Sequence, residues 1–103
     1  LGPRPMEMLL LGTGACSSYD VISILRKARQ DVVSCEVEVS SERAKTEPKV
    51  FTDIHIHFKV TGKDLKEKHV ERAVSLSAEK YCSASIMLGE TAKISHSFEI
   101  FDV

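Results

Sequence analysis

Excess charge of one sign is missing from this chain of 103 residues: 14 Lys and Arg against 15 Asp and Glu leave a formal charge of −1. That balance gives no reason to expect nucleic acid or an anionic membrane surface as a partner, since both recruit basic patches. Long apolar runs are missing too. The longest, Met8 to Leu11, is far short of the roughly 20 residues that cross a bilayer. No leader pattern is visible, so the expected location is the reducing cytoplasm. The first residue is Leu rather than Met, which leads us to expect a processed chain or a fragment. The three cysteines are an odd number, which argues against a closed disulfide framework, and a functional disulfide in the cytoplasm is a transient one. A phosphate loop is absent as well: Gly12-Thr13-Gly14 precedes no strand-to-helix turn and lacks the longer fingerprint. No serine has the surroundings of a nucleophile elbow.

What is present fits one α+β domain spanning residues 1–103, with no internal repeat and no linker. Pro5 suits the first turn of a helix that runs to about Arg29, where Arg26, Lys27 and Arg29 sit at the negative end of the helix dipole. The first half of this helix is apolar on every side, and such a helix must be surrounded. The rest of the chain supplies too little material, so a second subunit or additional strands are expected to complete the core. Two strands follow. Val33, Cys35, Val37 and Val39 alternate with polar residues, then Ile54, Ile56, Phe58 and Val60 alternate with Asp53, His55, His57 and Lys59. The polar stretch from Ser41 to Lys49 reads as a loop, and Thr61-Gly62 as a turn. Asp64 with Glu67 suggests a capping box for a helix reaching about Tyr81. A short helix from Ser83 ends at Gly89, and a last strand runs from Ala92 to Phe101.

The residues that can carry chemistry are few. Cys16 lies within the apolar, glycine-interrupted helix, and Cys82 closes the second helical pattern just before Ser83-Ala84-Ser85. They are 66 positions apart, so no local metal-binding or CxxC spacing links them. Only the fold can bring them together, and a buried dithiol pair points to thiol redox chemistry. For Cys16 the plainer reading, a cysteine that lets helices pack closely, stands beside the reactive one. Asp20, one turn later, disfavours its thiolate, so a reactive Cys16 needs a cation from elsewhere. Cys35 shares the apolar strand face and reads as a small core residue. Asp53, His55 and His57 share a strand face in the manner of a metal-ligand pair, but no third or fourth ligand is evident. His69 and His96 read as structural.

The segments Pro5-Met6-Glu7-Met8-Leu9-Leu10 and Gly14-Ala15-Cys16-Ser17 resemble the first-cysteine helix of the OsmC family of osmotically induced and organic-hydroperoxide-resistance proteins. The stretch Asp20 to Val33, together with Ala78-Glu79-Lys80-Tyr81-Cys82-Ser83, is closer still to its YhfA-like branch. The resemblance covers essentially the whole chain. It implies the OsmC-like fold: a long central helix packed by curved antiparallel sheet and completed in an intertwined homodimer. It also implies a thiol-dependent peroxidase without metal or organic cofactor. In that reading Cys16 is peroxidatic, Cys82 resolves, the substrate is a small apolar hydroperoxide and an external dithiol is the reductant. A non-enzymatic relative that binds an apolar small molecule at the dimer interface is the alternative. In active members an N-terminal arginine, held by a glutamate, activates the first cysteine. The strands that would bear it have no counterpart here, and the matching glutamate is Glu7, nine positions before Cys16 and one closer than in those enzymes. On a straight helix nine steps put Glu7 on the opposite side, about 13.5 Å along the axis. Glu7 therefore reaches the thiol only through a helix break at Gly12 or Gly14, or from the partner subunit.

Overall fold

A computed structural model describes residues 5–102. Its elements, in chain order, are α1 (Pro5–Lys27), β1 (Asp31–Arg43), β2 (Phe51–Lys63), α2 (Glu67–Leu76), a π-helical turn (Ser77–Tyr81), α3 (Ser83–Gly89) and β3 (Lys93–Asp102). α1 ends by a Schellman arrangement: Gln30 N–H donates to the Leu25 carbonyl and Arg29 N–H to that of Arg26, with Arg29 at φ 61°. This reversal sends the chain straight into β1.

The three strands form one sheet in the order β1-β2-β3. β1 and β2 make the expected antiparallel hairpin, and β3 adds parallel to β2 with Ile56 opposite His96 and Phe58 opposite Phe98. The sheet is thus mixed rather than wholly antiparallel. The helical crossover between β2 and β3 returns the chain to the end where β2 began, so β3 can run only in the same direction.

Alternation places Ile54, Ile56, Phe58 and Val60 of β2 on one face, all buried. Against them pack Val21 and Leu25 of α1 and Val70, Ala73 and Val74 of α2, each fully buried. α1 reaches the sheet closely because residue 14 is glycine: a Cβ there would stand 2.9 Å from Val37 Cγ2. On length and composition α1 is apolar enough to cross a membrane, but its stripe of Thr13, Gly14, Ser17, Val21 and Leu25 is buried within the fold. Its other side is bare. Met8, Leu9, Leu11 and Tyr19 are 50 to 68% exposed, as expected of a helix whose cover lies outside the chain.

Three local expectations are corrected. Val33 is exposed, because a bulge between Val32 and Ser34 makes it the unpaired residue and turns Val32 inward instead. Thr61 and Gly62 do not turn the chain; they pair with Ser34 and Val32, and the reversal comes at Asp64, at φ 52°. No capping box forms at α2. Lys66 is the N-cap without a side-chain cap, and the Gln30 side-chain oxygen accepts from its backbone N–H instead.

The polar sheet face holds the histidines. His55 contacts Ser95 Oγ through Nδ1 (2.7 Å) and Ser97 Oγ through Nε2 (2.9 Å). His57 contacts Ser97 Oγ through Nδ1 (2.6 Å) and Glu99 Oε1 through Nε2 (2.7 Å). Every ring nitrogen is engaged by β3, so the two imidazoles cross-link parallel strands rather than converge with Asp53 on a common point.

Candidate active site

α1 and the segment after α2 meet at the two cysteines that sequence left 66 positions apart. The π-helical turn makes the meeting possible. Its wider winding, with Cys82 N–H donating to the Ser77 carbonyl at 2.7 Å, inserts a residue and swings Cys82 onto α1. Cys82 is then the N-cap of α3 and is fully buried, while Cys16 is half-buried. The Cys16 and Cys82 sulfurs and an Asp20 carboxylate oxygen lie within 4.8 Å of one another, and no disulfide joins the two cysteines.

The hydrogen bonds differ sharply between the two sulfurs. Cys82 Sγ accepts from Ser17 Oγ (3.3 Å), Ser85 Oγ (3.2 Å) and the Ser85 backbone N–H (3.4 Å), and its own S–H faces the Thr13 carbonyl at 3.9 Å. Burial pushes the Cys82 thiol up, but these donors, with the Cys16 S–H, outweigh burial and hold it below the ordinary thiol value. Cys16 moves the other way. Burial, donation to Cys82 and the charges of Cys82 and Asp20 raise it, and only the Ala84 backbone N–H opposes them. The donors gathered on Cys82 thus favour negative charge there, while burial and Asp20 oppose it at Cys16. Asp20 is held by Ser77 Oγ, which reaches Asp20 Oδ2 and the Ser17 carbonyl at 3.4 Å each.

Glu7 is not part of this cluster. α1 continues unbroken through Gly12 and Gly14, so the break that would bring Glu7 to Cys16 does not occur. Glu7 is exposed and lines a separate groove with Leu10, Leu11, Gly14, Val37 and Val39. The serines that hold Cys82 escaped sequence reasoning, although Ser17 directly follows Cys16 and Ser85 stands three places after Cys82, the spacing from an N-cap to the backbone N–H that donates to it.

Cys35 stays apart. It packs half-buried against the core, its thiol pushed up by burial, with the Ser18 hydroxyl hydrogen-bonded there and donating to the Cys35 carbonyl at 2.8 Å. Cys35→Ala should leave redox activity intact and cost about 1 kcal/mol in chemical denaturation, the typical size of a modest core change. A Cys35→Ala protein that folds normally yet consumes no peroxide would remove the structural assignment.

Comparison with known proteins gives these residues a context. The family profile described as OsmC-like protein matches residues 1–97. Protein YhfA of Escherichia coli K12 is 57% identical over 98 residues, covering 95% of this chain and 73% of YhfA. A hypothetical protein from Aquifex aeolicus superposes with a TM-score of 0.93 at 36% identity, over 99% of this chain and 76% of that one. An organic hydroperoxide resistance protein OsmC from Legionella pneumophila shares the fold at TM-score 0.77 and 17% identity, over 95% of this chain and 70% of that one.

Proposed function

The chain belongs to the OsmC-like family, and from that premise we propose that it is a thiol-dependent peroxidase that reduces organic hydroperoxides through Cys16 and Cys82. The observation that carries this reading is the asymmetric pair itself: two sulfurs within 4.8 Å, one half-buried and one enclosed by hydroxyl and amide donors. Peroxide reaches Cys16 first, because Cys82 has no exposed surface. Cys16 attacks as the thiolate, its proton lost to solvent. The O–O bond breaks, Cys16 becomes a sulfenic acid and the organic oxygen leaves as alcohol after taking a proton. Cys82 then attacks the Cys16 sulfur and expels water, and an external dithiol reduces the disulfide. The net change is one hydroperoxide and one dithiol converted to alcohol, water and an oxidised dithiol.

Cys16 needs more than this chain's described residues provide, since the Ala84 N–H alone favours its thiolate. The activating cation in this reading is the arginine of the family's N-terminal strands, and Glu7 serves the thiol across the subunit boundary. The exposed side of α1 supports a homodimer, with Met8, Leu11 and Tyr19 at the joint. Light scattering at micromolar concentration should give twice the chain mass, and Leu11→Glu should shift it to monomer. A stable folded monomer for the unaltered chain would contradict the assembly.

The catalytic test uses the natural full-length protein with a small dithiol. Organic hydroperoxide should be converted to its alcohol, one per dithiol oxidised, faster than hydrogen peroxide is consumed. No turnover with any hydroperoxide would sink the enzymatic reading. The remaining reading is a binder of apolar small molecules, favoured by the groove between α1 and α3 lined by Met6, Leu9, Val50, Phe51, Leu88 and Ala92.

A further inference from the structure

We propose that Cys16, Cys82 and Asp20 form a site for a single thiophilic divalent cation, zinc above all, which occupies the reduced pair and is expelled when the pair is oxidised. The three ligand atoms already lie within 4.8 Å of one another. In a tetrahedral zinc site, with metal–sulfur bonds of about 2.3 Å and metal–oxygen bonds of about 2.1 Å, ligand atoms stand roughly 3.5–4 Å apart. The cluster therefore needs to contract by only about an ångström. Its surroundings are those of a metal centre whose ligands are held from behind. Ser17 and Ser85 donate to Cys82 Sγ, and Ser77 donates to Asp20 Oδ2. Such contacts fix ligand orientation and favour the deprotonated ligand.

The charge of the cluster asks for a cation. Two thiols and a carboxylate converge, and no ion pair among the described residues engages Asp20. Lys27 and Arg72 line the adjoining groove without pairing with it. Two sulfurs disfavour magnesium and calcium and select zinc or a similarly soft ion. Cys16 and Asp20 are each half-buried, so the cation has an approach and a fourth position stays open for water. Binding displaces one proton from each thiol. A later two-electron oxidation takes the electrons from the two thiolates, forms the S–S bond and frees the cation; with a hydroperoxide as oxidant, two solvent protons complete the alcohol and water. The cation is thus a competitor of the oxidant and is not required for the fold.

The experiment titrates the reduced, metal-free natural protein with zinc alone against a chromogenic chelator, with cobalt as a spectroscopic probe of thiolate ligation. The expected result is one zinc per chain, cobalt–thiolate charge-transfer absorption, and full release on oxidation by diamide. Cys16→Ser should weaken binding at least about 100-fold and Asp20→Asn about 10-fold, while Cys35→Ser leaves it unchanged. Because Cys16 and Asp20 are half-buried, both variants can be checked for folding by circular dichroism, which should match the unaltered protein. Zinc bound no more tightly by the unaltered protein than by folded Cys16→Ser overturns the site. So does binding that survives Cys16→Ser and disappears in a His55→Ala/His57→Ala double variant. Zinc affinity is read without peroxide: a protein that binds zinc at the pair but reduces no hydroperoxide upholds this site and counts only against the peroxidase reading.

Discussion

Cys16→Ser will bring hydroperoxide consumption down to the rate without protein, whereas Cys82→Ser will preserve the first turnover and lose the ones that follow. Cys82 is sealed from solvent and cannot replace the half-buried Cys16 as the attacking sulfur. In Cys82→Ser, the negative charge that raises Cys16 through Cys82 vanishes, leaving burial and Asp20 as the main opposing influences. The Cys16 thiol therefore moves down in that variant, and its first oxidation at neutral pH should be no slower. Without a resolving thiol the sulfenic acid then accumulates, is trapped by dimedone and passes to sulfinic acid with further peroxide. Stopped-flow consumption and dimedone labelling check both halves. Equal behaviour of the two variants would mean that the sulfurs are bystanders.

Gly62→Ala will destabilise the fold by about 3 kcal/mol, at the upper end of the range for overpacking. A Cβ at this position would overlap the Asp31 carbonyl oxygen and stand 2.8 Å from Leu65 Cδ1 and Cγ. The first obstacle is backbone in the sheet pair, and Leu65 packs against the core, so neither yields readily. For a domain of this size the loss corresponds to a fall in Tm on the order of 15 °C. Gly89→Ala, whose added methyl meets only Ile94 Cγ1 at 3.6 Å, is the control and should remain near the unaltered protein. Matching melting curves for the two variants would show that Gly62 does not hold the end of β1 close to α2.

That same glycine shows why sequence reasoning succeeded on elements and failed at their edges. Alternation over Ile54, Ile56, Phe58 and Val60 marks a buried strand because burial itself has period two, and all four are buried. Thr61-Gly62 carries a turn composition, but here glycine is needed for a close approach between strands, which sequence spacing does not encode. Val33 failed for a related reason. A bulge shifts the alternation by one residue, and it depends on pairing with β2 rather than on β1 alone. The direction of β3 was likewise invisible, since it follows from the length of the helical crossover.

At the site, family resemblance and helix patterns singled out Cys16 and Cys82, and the fold brings them together with Asp20. The hydroxyls that hold Cys82 and Asp20 were not legible, because Ser17 and Ser77 acquire their roles only when the π-helical turn docks on α1. Glu7 shows the opposite case. Its nine-residue spacing from Cys16 puts it on the far side of a straight helix, and α1 is continuous between them.

Treating the reduced full-length protein with one equivalent of an organic hydroperoxide, then measuring intact mass and mapping disulfide-linked peptides, tests the redox pair most directly. The account predicts that the chain loses two hydrogens, that the new bond joins Cys16 to Cys82, and that one alcohol appears per chain. An unchanged mass with the hydroperoxide unconsumed, or a bond that joins Cys35 to either partner, would contradict it.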